Sequence, residues 1–410
     1  MQLREFLRTG HTPTLVSAFL YFDISFMVWV LIGALANSIA PEFGLSDSQK
    51  GMMVAVPILG GAVLRLVFGV LADHIGSRRT GLIGLVLTLV PLVLGWFWAD
   101  SFSKVLGVGF LLGVAGASFA VALPLASRWY PPRHQGLAMG IAGAGNSGTA
   151  LATFFGPRLA EHIGWHGVFG VAAAAISATL VAFAILAKDS PNRPAPKRLA
   201  DYWTVLGERD TWWFSLFYSV TFGGFVGLAS FLSIFFRDQY ELSRVAAGGC
   251  ATLCVVAGSF LRPAGGYLAD RFGGIRMLMT QYVGVGATML IAATLPPLAI
   301  VTTALFAGMG LLGMGNGAVF QLVPQRFPRE IGVITGIVGA AGGVGGFILP
   351  NVLGSLKDLT GSFGGGYCVF AFVALGSAGA LLYVSRAWQS AFVGRGGLAA
   401  ALVPVEADAQ

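Results

Sequence analysis

The sequence predicts an all-α membrane protein in which twelve transmembrane helices form two pseudo-symmetric six-helix bundles. Three observations predict this class: a scarcity of charged residues, twelve long apolar runs, and a motif that recurs in both halves. Of the 410 residues, 56% are hydrophobic and only 10% are charged, whereas a soluble domain carries about 25% charged residues. The 59 glycines lie largely within the apolar runs, where small residues allow helices to approach closely in lipid.

Twelve apolar runs are long enough to cross a bilayer, which requires about 20 residues each. They cover residues 14–40, 50–72, 79–99, 103–126, 135–157, 166–187, 211–236, 246–269, 275–295, 299–323, 331–354 and 365–386. The most polar interruption, residues 188–210, contains prolines and charges that hydrocarbon does not accommodate. We therefore expect an N-terminal bundle over 1–187, a cytoplasmic linker over 188–210, a C-terminal bundle over 211–390 and a tail over 391–410.

The distribution of basic residues predicts the orientation of the chain. With the N-terminus inside, 17 lysines and arginines fall on the inner side and six on the outer side. Loops rich in lysine and arginine stay in the cytoplasm, so both termini and the linker are expected there, in a cytoplasmic (inner) membrane. This topology also explains the net charge of +7, and no role in nucleic-acid binding is required.

The two halves of the sequence resemble each other. Residues 64–76 match residues 261–273 with a constant offset of 197 residues. The match includes the pairs Arg65 and Arg262, Gly69 and Gly266, and Asp73 and Asp270. A parallel repeat of six helices is an arrangement in which a substrate site forms near the bilayer midplane, between the halves.

Arg65 and Arg262 are the two basic residues that lie inside apolar runs rather than at their ends. Such a charge costs at least about 2.5–3.5 kcal/mol in the membrane and usually faces a partner or a cavity. Asp23 is the carboxylate predicted at similar depth, and one acid cannot neutralise two arginines. A guanidinium offers paired N–H donors that suit a planar oxyanion. The pair therefore predicts an anion ligand, and nitrate, nitrite and small carboxylates all share the required geometry.

Residues 69–79 and 266–276 resemble the two copies of the loop signature of the major facilitator superfamily. Over nearly its whole length the chain also resembles the nitrate/nitrite porter family within that superfamily. The resemblance rests on a glycine-rich segment at 138–148 that looks like the nitrate signature, a second copy at 336–346, and the segments 56–65 and 218–223. It implies a secondary transporter of nitrate and/or nitrite in nitrate assimilation that works by alternating access.

The resemblance also implies roles for individual residues. Arg65 and Arg262 bind the anion, while Asn146, Tyr218 and Phe222 line the site. The loop residues Asp73, Asp270, Gly69 and Gly266 form a conformational latch, because a carboxylate there can contact helix termini and basic groups. The second glycine-rich segment has Gly342 and Gly343 where the first has an asparagine, so we expect the polar donors to be concentrated in one half of the site.

The coupling mechanism is left open by the sequence. Asp23 lies roughly ten residues into the first span, well inside the membrane at about 1.5 Å per residue. It carries a proton during symport in one interpretation, and partners an arginine or a backbone group in the other. Exchange of nitrate for nitrite is the alternative scheme, in which the anion itself balances the charge of the arginines.

Two alternative functions are also consistent with an anion site inside a membrane protein. A major facilitator transporter of small carboxylates or another organic anion is the first alternative, and a non-transporting membrane sensor of the anion is the second. An enzyme is not expected, because no nucleophile, metal cluster or phosphate-binding loop is visible. The partners expected are nitrate and nitrite, the lipid bilayer and, for symport, protons. We expect a monomer with no cofactor and no metal.

Overall fold

The computed structural model describes residues 6, 9–191, 199–328 and 330–398, with the backbone alone at 132–137, 199–202 and 390. Some predicted features lie outside these residues, among them most of the linker, the end of the tail, and six of the basic residues behind the orientation: Arg4, Arg8, Arg193, Lys197, Arg198 and Arg329. We number the membrane-spanning helices α1 to α12.

Six spans precede the linker. They are α1 (Thr12–Trp29 continued by Leu31–Glu42), α2 (Asp47–Ile75), α3 (Ser77–Phe97), α4 (Phe102–Gly116 continued by Phe119–Ser127), α5 (Pro132–Gly143, the 3₁₀ turn Ala144–Ser147 and residues 148–163) and α6 (residues 165–186). A short helix, Leu199–Gly207, lies in the predicted linker. Six spans follow: α7 (Arg209–Tyr240), α8 (Arg244–Phe272), α9 (Gly274–Ala293), α10 (Leu298–Arg326), α11 (Ile331–Thr360) and α12 (Gly364–Ala391).

Twelve spans were predicted, and α5 and α6 are the pair that differs most from expectation. No loop separates them, because helix continues from Gly148 to Leu186 except at Gly164, whose φ of 70° and ψ of 161° interrupt it. Glycine reaches this positive φ without the steric cost of a β-carbon. One non-helical residue therefore replaces the loop predicted at 158–165.

The ends of α2 and α8 reproduce the repeat seen in the sequence. Ser46 caps α2 and Ser243 caps α8, each accepting a hydrogen bond from the backbone N–H three residues later. The helices end at Gly76 and Gly273, with φ of 96° and 97°. Serine at the N-cap and glycine after the last turn are the residues that helix ends favour. The constant offset of 197 residues thus corresponds to two helices with matching start and stop signals.

Burial follows the pattern of a protein surrounded by lipid. Helix α7 is almost wholly enclosed, and all its residues from Val220 to Phe236 are buried. On the outer helices, large apolar side chains such as Phe97, Ile185 and Leu382 are 72%, 70% and 59% exposed. A water-soluble protein rarely exposes apolar patches on that scale. Together with helices of membrane-spanning length and composition, this makes the chain a multi-pass membrane protein.

The two halves meet mainly along three helix pairs: α1 with α7, α2 with α11, and α5 with α8. Near the start of α2 this interface is closed by polar contacts. Asp358 of α11 accepts hydrogen bonds from the first two backbone N–H groups of α2, at 3.0 and 2.8 Å. Lys50 of α2 pairs with Asp238 of α7 at 2.7 Å, and Asn37 of α1 donates to the Ser233 carbonyl of α7 at 2.7 Å.

Glycines bring the central helices together. A β-carbon on Gly343 of α11 would lie 2.6 Å from that of Ala62 on α2, and one on Gly342 would lie 2.7 Å from the Tyr218 ring. Side chains at these positions would push the helices apart. The glycine-rich segment of α11 therefore allows α2 and α7, which carry Arg65 and Tyr218, to meet at one point between the halves.

Candidate anion-binding site

Arg65 lies at the centre of the structure and is only 1% exposed. Its Nη1 donates to the carbonyl oxygen of Gly339 on α11 at 2.7 Å, and its Nη2 donates to that of Gly116 on α4 at 3.0 Å. Nε has no acceptor among the described residues. A guanidinium carries five N–H donors. Two position the side chain against both halves of the protein, and three remain for a ligand.

Aromatic rings enclose this guanidinium. Its central carbon lies 5.7 Å from the ring centre of Trp29, 5.3 Å from that of Phe119 and 5.2 Å from that of Phe222. These distances fall within the range of cation–π attraction. The rings exclude water and help to hold a charge that has little access to solvent. The predicted site residue Phe222 therefore lies beside Arg65, on α7.

Arg262 approaches the same point from the other half, on α8. Its Nη2 lies 3.5 Å from the hydroxyl oxygen of Tyr218, a long hydrogen bond, and its Nη1 has no partner among the described residues. Its central carbon is 5.3 Å from the ring centre of Phe119. Because Phe119 contacts both guanidinium groups, their carbons are no further apart than twice that distance.

Among the described residues no carboxylate lies within ion-pair distance of either arginine. Asp23, the acid predicted at similar depth, is 7% exposed and accepts a hydrogen bond from the Ser147 hydroxyl at 2.7 Å. It also interacts with the backbone N–H of Gly148. Of the partners considered for Asp23, the structure places a hydroxyl and a backbone group beside it rather than an arginine. Two positive charges thus share a largely apolar site.

Tyr218 and Phe222 stack on each other one helical turn apart, with ring centres 5.1 Å apart and planes 4° from parallel. Both are fully buried. The Tyr218 ring also packs edge-on against Phe320 of α10, at 4.9 Å. This packing fixes the Tyr218 hydroxyl next to Arg262. Both aromatic residues predicted for the site therefore lie with the arginines.

Asn146 lies in the 3₁₀ turn Ala144–Ser147, where α5 departs from α-helical geometry. It is fully buried, and neither its amide nitrogen nor its amide oxygen has a partner among the described residues. Its backbone carbonyl accepts a hydrogen bond from Ser259 of α8 at 3.2 Å. A buried amide without a partner costs free energy, so this donor is available to a ligand. The turn also places Asn146 next to Ser147, the partner of Asp23.

The family model described as Major Facilitator Superfamily matches residues 17–350 of this sequence. That match covers most of the chain. The chain belongs to the Major Facilitator Superfamily. The predicted fold class is thereby confirmed, as is the expectation of a transporter rather than an enzyme.

Curated relatives place this major facilitator protein in the nitrate/nitrite porter family, as its motifs predicted. It is 34% identical to the "Nitrite extrusion protein" of Bacillus subtilis, over 89% of this chain and 91% of the relative. It is 35% identical to the "Probable nitrate/nitrite transporter NarK2" of Mycobacterium tuberculosis, over 85% and 90%. It is 32% identical to the "Probable nitrate/nitrite antiporter NarK1" of Thermus thermophilus, over 83% and 84%.

Solved structures show the same fold. A bacterial homologue of the human lysosomal transporter Spinster superposes with a TM-score of 0.67, over 91% of this chain and 96% of that chain. The two sequences are only 18% identical, so the likeness extends to the fold alone.

The two superfamily signature loops differ in this structure. Asp73 pairs with Arg128 at the end of α4, with 3.0 Å between Oδ1 and Nη2, and its other oxygen faces Gly332 at the start of α11. Asp270, its counterpart after 197 residues, is exposed and has no ion pair among the described residues. The two copies thus make different contacts.

The loop glycines Gly69 and Gly266 occupy matching positions. Gly69 of α2 faces Ala120 of α4, and Gly266 of α8 faces Gly317 of α10. Each lies where the signature helix crosses its neighbour in the same half. Their part in a latch stays a prediction.

Two aromatic residues that contact the arginines were not identified from the sequence. Trp29 and Phe119 gave no signal, because aromatic residues are common throughout the apolar runs. Ser118 and Asn316 did give one, since both are polar residues inside apolar runs. Both are buried, and their side chains have no partner among the described residues. Ser118 adjoins Phe119, and Asn316 lies one turn from Phe320, which packs on Tyr218.

Proposed function

We propose that this protein exchanges nitrate for nitrite across the cytoplasmic membrane by alternating access. The observation that carries the proposal is the pair Arg65 and Arg262, one from each half, which contact the same Phe119 ring without a carboxylate partner among the described residues. Such a pair attracts an anion. The names of the curated relatives, which include a nitrite extrusion protein and a nitrate/nitrite antiporter, support nitrate and nitrite as that anion.

In this proposal the anion binds between the two guanidinium groups. The remaining donors of Arg65 and the free Nη1 of Arg262 bind its oxygens, and the Asn146 amide and Tyr218 hydroxyl add hydrogen bonds. Phe222 and Phe119 supply flat apolar walls that fit a planar ion. Apart from the arginines, this proposal uses one polar donor from each half, Asn146 and Tyr218. The sequence had led us to expect most of the polar donors in one half.

Electrostatics favours exchange over uncoupled movement. Two unit charges no more than about 10 Å apart repel by at least about 1.7 kcal/mol at an effective dielectric constant of about 20, and burial adds a desolvation cost. A bound monovalent anion offsets part of both terms. Arg65 bonds to both α4 and α11 across the interface. The rocking of one half against the other that alternating access requires therefore occurs most readily when the anion is bound.

Proton-coupled nitrate uptake is the second candidate, and Asp23 is the observation that favours it. This carboxylate is 7% exposed, lies inside α1 and bonds to Ser147, next to Asn146. Loss and gain of a proton there would alter the turn that presents Asn146. If Asp23→Asn retains full nitrate accumulation driven by a pH gradient, proton coupling through Asp23 is refuted, while anion exchange stays intact.

Several finer features belong to the same proposal. Both termini lie in the cytoplasm, the N-terminal bundle ends at residue 187, and the C-terminal bundle spans 211–390 with a tail from 391. The protein acts as a monomer. Asp73 and Asp270, with Gly69 and Gly266, serve as latches in opposite conformations, which is consistent with the Asp73–Arg128 pair and the exposed Asp270.

The test uses purified protein in liposomes loaded with nitrite or with an inert anion. Exchange predicts nitrate uptake that requires internal nitrite or nitrate and persists without a pH gradient. Uptake that depends on the pH gradient and not on internal anion would replace exchange by symport. Competition by formate or oxalate separates the carboxylate alternative: if either blocks uptake as well as nitrite does, the proposed substrate is wrong.

A further inference from the structure

A cavity of about 520 Å³ lies away from the arginine pair, between the start of α9 and the end of α12. Two arginines, Arg276 and Arg395, contribute to its lining together with polar side chains of Thr280, Ser385 and Gln389. Apolar side chains complete it. We propose that this cavity binds the headgroup of an anionic phospholipid, of the phosphatidylglycerol or cardiolipin class, with its acyl chains against the apolar wall.

The cavity has a fixed wall. After α12, residues Arg395–Gly397 form a short 3₁₀ turn, closed by a hydrogen bond from the Gly394 N–H to the Leu398 carbonyl at 2.8 Å. The turn lies against Gly273, which precedes α9, and any β-carbon on Gly273 would collide with the carbonyl of Gly396. Both glycines have positive φ values. Only glycines permit this approach, which holds Arg395 over the start of α9.

The charge of the cavity calls for an anion. Arg276 and Arg395 are both exposed, and neither has a carboxylate within ion-pair distance among the described residues. Arginine is suited to phosphate because its planar donors bind two oxygens at once. The hydroxyl and amide groups at the same site supply further hydrogen bonds. Basic pockets between helices at a membrane surface are typical sites for anionic headgroups.

The apolar side of the cavity identifies the source of the phosphate as lipid. Leu382 lines it and is 59% exposed, and the neighbouring Tyr383 is 78% exposed. These residues continue onto the lipid-facing surface of α12. A free phosphate ion gains nothing from such a wall, whereas an acyl chain buries apolar area against it. The combination of paired guanidinium groups and an exposed apolar surface therefore fits a phospholipid.

The test compares lipid retention by native mass spectrometry after purification from bilayers that contain both phosphatidylglycerol and phosphatidylethanolamine. The double variant Arg276→Gln/Arg395→Gln removes both charges from the cavity. Arg271→Gln is the matched control, since Arg271 is exposed in the last turn of α8, contacts the Phe272 ring and does not line the cavity. A thermal unfolding curve confirms that each variant is folded, and Arg395→Gln alone replaces the double variant if it is not.

We expect the wild type and Arg271→Gln to retain phosphatidylglycerol in preference to phosphatidylethanolamine. Retention by the double variant should fall about 30-fold, from the usual contribution of each basic residue to anionic-lipid attraction. Equal retention by the double variant overturns the proposal. So does full displacement of the lipid by millimolar glycerol phosphate, which indicates a site for soluble phosphate. If phosphatidylglycerol is retained only after deletion of residues 399–410, which include Glu406 and Asp408, the tail is the occupant in the full chain, and the proposal is overturned.

This inference is independent of the transported substrate. Nitrate exchange is measured in parallel for every variant, in liposomes of fixed composition. A variant that loses lipid retention but keeps exchange supports the lipid site, and the reverse result assigns Arg276 and Arg395 to transport and counts against it.

Discussion

Replacing Arg65 by lysine keeps the positive charge and removes the guanidinium geometry. Arg65 donates two hydrogen bonds to carbonyl groups in different halves, Gly339 at 2.7 Å and Gly116 at 3.0 Å, and keeps three donors for the anion. An ammonium group offers three donors from one nitrogen. It cannot satisfy both carbonyls and also bind two oxygens of a planar ion.

The expected loss follows from these contacts. A hydrogen bond from a charged group is worth about 1.5–3 kcal/mol, and at least one is lost. Weaker contact with the rings of Trp29, Phe119 and Phe222 adds about 0.5–1 kcal/mol. A total of about 2–4 kcal/mol corresponds to a fall of about 30- to 700-fold in transport at low substrate, at 1.4 kcal/mol per factor of ten.

The assay is initial nitrate uptake into nitrite-loaded liposomes, measured over a range of external nitrate. Arg158→Lys is the control, because Arg158 donates to a carbonyl within its own helix, at Phe154, and is not part of the site. It should transport normally. If Arg65→Lys is well folded and keeps uptake within about threefold of the wild type, the paired-donor reasoning is refuted.

Three further variants test separate contacts. Asn146→Ala should raise the KM for nitrate about fivefold with little change in maximal rate, because one hydrogen bond of about 1 kcal/mol is lost. A KM within twofold of the wild type would assign Asn146 to helix packing. Asp358→Asn should increase maleimide labelling of a cysteine placed near the start of α2, because the Asp358 carboxylate accepts hydrogen bonds from two backbone N–H groups of that helix. Unchanged labelling would contradict the proposal that Asp358 closes the interface there. Arg128→Gln breaks the partly exposed ion pair with Asp73. Because such pairs contribute little, the uptake rate should change less than about fivefold. Complete loss of transport would contradict this and show that the pair has a larger role than a surface ion pair.

Features that depend on residues close together in the sequence were predictable. The number of spans follows from the cost of placing polar backbone and charge in hydrocarbon, a sum over neighbouring residues. The repeat needs only a comparison of the sequence with itself, and Ser46, Ser243, Gly76 and Gly273 appear at equivalent helix ends. The prediction was weaker at Gly164, where a single backbone angle rather than composition separates α5 from α6.

Contacts across the fold were not predictable in the same way. The sequence singled out Arg65 by its charge, but its acceptor on Gly339 lies 274 residues away. Phe119 touches both arginines, yet it is one of 31 phenylalanines. Asp23 was recognised as a buried acid, and only the structure shows Ser147 as its partner.

The sequence by itself determined that this protein crosses a membrane many times, that its halves are related, and that two cations lie within it. Each of these follows from the chemistry of residues considered singly or in short runs. The tertiary structure alone decided that both cations meet at one aromatic ring and that carbonyl groups, rather than carboxylates, hold Arg65. Those contacts depend on how the helices cross, and helix crossing is set by packing between residues that are far apart in the chain.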